Sequence, residues 1–515
     1  MTAQANETPY DRVKIKQLPT GVQGLDEILG GGLPEYSFNI IAGAPGGGKT
    51  TLAHQIVFAN ATPERPALYF TVLGEPAIKM LRYQQQYTFF DASKMDGSIR
   101  FINLSQLVLD HDLGAVLDAI VKEVEASNAG IVVVDSFRTV VRKAQAGASE
   151  VELQGFVQRL ALHLTSWQAT TFLIGEYVEG ELRDNPVFTV ADGLFWLNQS
   201  VDRNSIVRKM QVMKIRGQES VPGLHTFRIT TCGLQAFPRT FGLADNKVVN
   251  VKGKRRLSTG ILKLDALMGG GIPEGDSMLV AGPSGAGKTV LGIQFIAEGL
   301  ERGEPGIVAM FEERPNEFMQ RAASFGFDLD KNLQDGSLKL IYLRPLDLSV
   351  DETVHEIVNA VKEIGCKRLV IDSLVGFEMA LAPDFRTDFR ESLYRMIGAL
   401  TRLGVTIIST VEVEENFTSM GLSNFTISFL ADDIVRMRYA SINGQLRKIM
   451  MVVKMRRSQH SIDMCGYEVT AKGLAIGEPM RGYRGLTSGI PGPWASESGV
   501  SSPLNSEADR DDPIG

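Results

Sequence analysis

The chain has 515 residues, 44% of them hydrophobic and 22% charged, and its 53 Lys and Arg against 60 Asp and Glu leave a net charge of −7. That composition is ordinary for a soluble globular protein of several domains, and it argues against a coat for nucleic acid, which needs clustered positive charge. No apolar run approaches the roughly 20 residues of a membrane span, MTAQANETPYDRVK carries no apolar signal core, and the three cysteines and six histidines are too scattered for a disulfide framework or a metal site, so a reducing cytoplasm is the expected setting.

Taken in chain order, residues 18–33 read LPTGVQGLDEILGGGL. The apolar run FNIIAG then feeds a glycine-rich loop, Gly43-Ala-Pro-Gly46-Gly47-Gly48-Lys49-Thr50-Thr51, which opens the helical stretch TLAHQIVF. Next come the apolar run ALYFTVL, a turn holding Leu73-Gly74-Glu75-Pro76, a helix over 114–127, IVVVDS ending in Asp135-Ser136, TTFLIGE, and Lys214-Ile-Arg216. A polar, basic stretch from Asp245 to Arg256 has the character of a linker. Residues 257–272, LSTGILKLDALMGGGI, then restart the pattern. SMLVAG feeds Gly282-Pro-Ser-Gly285-Ala286-Gly287-Lys288-Thr289-Val290, followed by GIVAM with Phe311-Glu312-Glu313, RLVIDS with Asp372-Ser373, VTIIST, and Lys454-Met-Arg456. Lys49 and Lys288 are 239 residues apart, Asp135 and Asp372 237, and Lys214 and Lys454 240. Such a period far exceeds a solenoid repeat and marks a tandem duplication, with one domain at 1–247 and a second at 248–478. The remainder, 479–515, is rich in Ser, Pro, Gly and acid, and is expected to be a disordered tail.

The short uninterrupted apolar runs are what strands buried on both faces require, and helical stretches lie between them. Each half is therefore expected to be α/β, a mainly parallel sheet with helices on both faces. Both glycine-rich loops fit GxxxxGK[ST] between a strand and a helix. Their backbone N–H groups and the helix N-terminus are suited to cradle nucleotide phosphates. Lys49 and Lys288 would neutralise the β- and γ-phosphates of ATP, and Thr50 and Thr289 would join Asp135 and Asp372 in holding Mg²⁺. A carboxylate is further needed to orient or deprotonate the nucleophile. The second half offers Glu312 and Glu313. The first reads Leu73-Gly74 at the matching place, leaving Glu75 displaced toward the turn. The paired basic residues Lys214 and Arg216, and Lys454 and Arg456, are expected on the strand after the last crossover. There they could reach the γ-phosphate of a neighbouring subunit.

These features together resemble KaiC, the two-lobed ATPase of the Kai clock system within the RecA-like superfamily. They are T-G-x-x-x-L-D-x-x-x-G-G-G before each loop, two Walker A and two Walker B elements, Glu312-Glu313, and the K-[IM]-R segments, together covering about residues 12–478. The resemblance implies tandem RecA-like domains in a double-ring homo-hexamer with ATP between subunits. It implies an N-terminal ATPase, a C-terminal serine/threonine autokinase, and a KaiB-like partner. The tail differs from the one that recruits KaiA, so no KaiA partner is implied. The family's Ser-Thr phosphorylation dyad falls on Ser428-Phe429, which makes Ser428, with Thr426 second, the implied phosphoacceptor. Two other readings share the loops: a RecA- or DnaB-like DNA motor, which the absence of a basic cluster beyond Lys252–Arg256 disfavours, and a signalling scaffold with little turnover, which Leu73-Gly74 favours.

Overall fold

The computed structural model describes residues 15–72, 77–110, 112–140, 150–181, 187–202, 205–239, 255–343, 349–381, 389–413, 431–486 and 492–493. Packing divides the chain into two units. One comprises Met1–Val249 with Leu343–Glu363 and Gly376–Leu403, the other Asn250–Tyr342 with Ile364–Val375 and Gly404–Gly515.

The first unit holds a nine-stranded sheet. Its strands are β1 Phe38–Gly43, β2 Ala67–Thr71, β3 Ile99–Asn103, β4 Ile131–Asp135, β5 Thr170–Glu176, β6 Gly193–Asp202, β7 Ser205–Ile215, β8 His225–Thr230 and β9 Gly233–Phe237. Their order is 9-8-7-6-1-5-4-2-3. β1 to β6 run parallel and β7 to β9 return antiparallel. Successive side chains of a strand face opposite layers. Accordingly Ile40, Val132 and Val134 join one apolar cluster with Val116, Phe156 and Leu160, while Ile41, Ile131 and Val133 join another with Leu52 and Ile56 of helix α1 (Lys49–Asn60). Both faces are dry, which is why these strands read as unbroken apolar runs.

The second unit repeats the plan. Its strands are β10 Ser277–Gly282, β11 Gly306–Met310, β12 Leu338–Tyr342, β13 Arg368–Asp372, β14 Thr406–Glu412, β15 Asp433–Ile442, β16 Gln445–Met455, β17 Cys465–Thr470 and β18 Gly473–Pro479. The order, 18-17-16-15-10-14-13-11-12, is that of the first sheet with nine added to every strand. Val280, Val308, Val370 and Ile408 pack with Leu291 and Phe295 of helix α2 (Lys288–Glu301).

Two expectations are corrected here. Lys214 and Lys454 lie not on the strand after the last crossover but at the end of the antiparallel strand that follows it, and Arg216 and Arg456 stand just beyond that strand. The expected tail is not wholly without structure. Tyr483–Arg484 pairs with Gly492–Pro493, and Leu486 is buried in a small cluster with Ile442, Ile449 and Ala440. A few apolar side chains suffice to seat that segment on the end of the sheet.

Candidate functional site

In the first half, β1 ends at Gly43 and α1 begins at Lys49, so the glycine-rich loop spans the gap at the C-terminal tip of a central strand. Gly48 sits in the left-handed region (φ 88°), a backbone conformation that demands glycine, and a Cβ there would also have to push aside the end of the Ile229 side chain, 2.7 Å away. Gly47 closes a turn onto the Ala44 carbonyl at 3.3 Å. Lys49 folds across the loop and donates to the Ala44 carbonyl at 2.7 Å. Burial lowers its pKa, opposed by the charges of Glu176 and Asp135. Thr50 Oγ1 donates to Asp135 Oδ2 at 2.9 Å, and the Tyr69 hydroxyl donates to the same oxygen at 2.8 Å. Burial pushes the Asp135 carboxyl up, and these two hydrogen bonds and Lys49 pull against it. Beneath Tyr69 the buried ring of His54 stacks at 4.5 Å and bonds the Thr50 carbonyl through Nδ1 at 2.8 Å. Its pKa is lowered to about 4 by burial, so it is neutral near pH 7. The cleft over the loop is lined by Gly46, Gly48, Lys49, Thr50, Thr51 and Asp135 on the phosphate side, with Glu176 among them. Met80, Tyr83, Tyr87 and Ile229, with Gln84 among them, add an apolar and aromatic wall suited to a flat base.

The second half repeats this geometry with different helpers. Lys288 donates to the carbonyls of Gly282 at 2.9 Å and Pro283 at 2.8 Å, and burial lowers its pKa against the charges of Glu412, Asp372 and Glu312. Thr289 donates to Asp372 Oδ2 at 2.8 Å, while Thr410 donates to the other carboxylate oxygen. Gly285, Gly287, Lys288, Thr289, Val290, Asp372, Glu312 and Glu313 line the cleft together; Ala286 is buried beneath it. Glu312 accepts a 2.8 Å hydrogen bond from Ser373 Oγ. Glu313 instead pairs with Arg321 at 2.9 Å; burial raises its pKa and Arg321 opposes the rise. Both glutamates line the cleft, but Glu312 is bonded to Ser373 next to Asp372 and its charge acts on Lys288, whereas Glu313 is tied to Arg321.

The Lys-x-Arg residues are not part of either cleft. Lys214 donates to the Thr189 carbonyl at 3.1 Å and Arg216 pairs with Asp192 at 3.0 Å. Lys454 donates to the Ala431 carbonyl at 2.7 Å and Arg456 lies 3.6 Å from Asp432. Lys214 is opposite Leu194, which is beside Ile40, whereas the loop begins at Gly43 beside Leu197. The basic pairs therefore stand at the far end of β1 and β10 from their own chain's loops. Glu75, Ser428 and Thr426 lie outside the described residues. Sequence reasoning missed Tyr69, Thr410, Glu176 and Glu412, which no motif marks and which only strand order brings to the loop; Ser373 is read as part of the Walker B pair but is given no role of its own.

The donors present in each half, one hydroxyl and one carboxylate, are hard oxygens that suit Mg²⁺. Among the described residues no group of three or more His, Cys, Asp or Glu forms a metal cage. An ion held here would thus take most of its ligands from phosphates and water, as Mg²⁺ does with nucleotides. Among the described residues no helix is long and apolar enough to cross a membrane.

A family model described as "ATPase: KaiC" matches residues 18–240 and again 257–481. The chain is 26% identical over 501 residues to the circadian clock oscillator protein KaiC of Thermostichus vulcanus, covering 95% of this chain and 94% of that protein. It is 27% identical over the same length to the circadian clock oscillator protein KaiC 1 of Synechocystis sp., with the same coverage. To the KaiC of Rippkaea orientalis it is 27% identical over 490 residues, 93% of this chain and 92% of the relative.

Proposed function

The chain belongs to the KaiC ATPase family, and from that footing we propose that it binds Mg-ATP in both halves and hydrolyses it, and that its C-terminal half phosphorylates its own Ser/Thr side chains. The timing or signalling role is carried over from relatives named as clock oscillator proteins. The observation that carries the reading is the pairing of Thr50 with Asp135 and of Thr289 with Asp372, at 2.9 and 2.8 Å, each beside a loop lysine. Mg²⁺, when bound, would neutralise charge on the β- and γ-phosphate oxygens. Lys49 and Lys288 share that task from the loops, and the backbone N–H groups of α1 and α2 orient the phosphates. At the second site Glu312, steadied by Ser373, would take the proton of the acceptor hydroxyl. The hydroxyl oxygen then bonds the γ-phosphorus as the bridging oxygen departs on ADP. Ser428 is the proposed acceptor, with Thr426 second.

Assembly as a homo-hexamer with ATP at subunit boundaries is part of this proposal, as is a KaiB-like partner. Support for the boundary site comes from Lys214, Arg216, Lys454 and Arg456, which stand at the wrong end of their own sheet to reach their own loops. The test is phosphate release and phosphopeptide mapping after incubation with Mg-ATP. Turnover that falls in Lys49→Ala and in Lys288→Ala, with phosphate on Ser428 that vanishes in Glu312→Gln, supports the reading. Turnover without phosphate anywhere in 423–430 leaves an ATPase alone. Binding without turnover leaves the signalling scaffold.

A further inference from the structure

Resting on the reading of the first half as an ATPase, we propose that Glu176, at the tip of β5, is the carboxylate that orients and deprotonates the attacking water at the N-terminal site. Strand order provides the first argument. β5 lies between β1, which feeds the glycine-rich loop, and β4, which ends in Asp135. Glu176 is beside Gly43 in the ladder, and Asp135 is beside Ile174. A side chain leaving the end of β5 therefore enters the space between Lys49 and Asp135, and all three line one cleft. Glu176 is exposed to that cleft, and among the described residues its carboxylate accepts no hydrogen bond. Its lone pairs are open to a water. Its charge, with that of Asp135, opposes the lowering of the Lys49 pKa by burial.

The backbone that carries Glu176 is held on both sides. Tyr177 N donates to the Gly43 carbonyl at 3.3 Å. The buried Tyr177 ring lies across Gly175, where a Cβ would be 2.2 Å from Tyr177 Cε2. The Arg138 guanidinium sits 4.9 Å from the centre of that ring and is paired with Glu181. A reacting group on a rigid strand end is positioned better than one on a turn. The second half has Glu412 in the same register, beside Gly282, but it also has Glu312. The first half reads Leu73-Gly74 where the second reads Glu312-Glu313, so the strand-end carboxylate is left to do the work there. In the step itself the water oxygen bonds the γ-phosphorus while the bond from phosphorus to the β–γ bridging oxygen breaks. That electron pair leaves on ADP, the water proton passes to a Glu176 carboxylate oxygen, and it is then released to solvent.

The experiment uses the full chain with the second site silenced by Lys288→Ala, or by Glu312→Gln if the first change disturbs folding. Phosphate release and equilibrium binding of ATP are measured with and without Glu176→Gln, and with Glu75→Gln beside it. The expected result is a kcat lowered about 100-fold or more by Glu176→Gln, with ATP affinity changed by less than about threefold. An unchanged kcat overturns the proposal, as does a loss confined to Glu75→Gln. A silenced chain that does not hydrolyse ATP at the first site, whether or not it binds it, overturns instead the ATPase reading on which the proposal rests.

Discussion

Asp135 and Asp372 face one task with different neighbours. Tyr69 supplies the second hydroxyl in the first half and Thr410 in the second; the corresponding places hold Val308 and Ile174. The hydroxyl has moved to the strand on the other side of the carboxylate, and the bond has been kept. Tyr69→Phe should remove about 0.5–1.5 kcal/mol of support from Asp135. The Mg²⁺ concentration needed for half-maximal turnover at the first site should rise severalfold while the second site is unaffected; titrating Mg²⁺ in the Lys288→Ala chain checks this. Asp433 gives a different kind of prediction. It is buried beside Asp276 and Asp432, with Arg256 and Arg457 nearby, and its pKa is pushed up to about 7, first by burial and then by the two carboxylates. The folded chain holds this proton more tightly than the unfolded chain, so its contribution to stability is full in acid and is lost as pH rises through about 7. Between pH 6 and 8.5 the wild-type melting temperature should therefore fall relative to that of Asp433→Asn. A relative rise over that interval would contradict the assignment.

Among the elements, β13 depends on a charge in its core. Arg368 is fully buried, donates through Nε to Glu304 at 2.7 Å and to the carbonyls of Ser258 and Phe295, and lies 4.6 Å over the Phe295 ring. Removing one partner of a buried pair strands the other, at about 3–5 kcal/mol. Glu304 also pairs with the more exposed Arg255, so Arg368→Ala should cost about 3 kcal/mol, the low end of that range, in denaturant unfolding of the second unit, and a change below about 1 kcal/mol would show that Arg255 and water satisfy Glu304. Elements of this kind also mark the limits of legibility. β1, β5, β10 and β14 are readable because double-sided burial writes them as apolar runs. β15 and β16 are not, because DIVRMRYASI and QLRKIMMVVKM mix charge into strands; Arg436 and Arg438 are nonetheless buried in β15. The loop lysines, threonines and Walker B aspartates are legible because phosphate chemistry fixes their spacing. Glu176 and Glu412 are not, since an acid ending a strand has no motif and gains meaning only from which strands flank it.

For the whole molecule, duplication sets the expectations. The two sheets share one order and one site geometry, so nucleotide binding should be a property of each half separately. The boundary role of the basic pairs is tested by mixing Arg456→Ala chains with Glu312→Gln chains: rings that hold both should recover part of the C-terminal activity, and proven mixed rings without recovery would place Arg456 in its own chain's site. The central claim is two Mg-ATP sites in every chain. Removing either loop lysine deletes a charge-assisted contact worth roughly 1.5–3 kcal/mol, about 10-fold or more in affinity. Equilibrium dialysis with Mg-ATP, at a concentration that saturates the wild type but not a site so weakened, tests it most directly. The account predicts two nucleotides per wild-type chain, one in Lys49→Ala, one in Lys288→Ala and none in the double variant; a single nucleotide per wild-type chain, or two retained in either single variant, would contradict it.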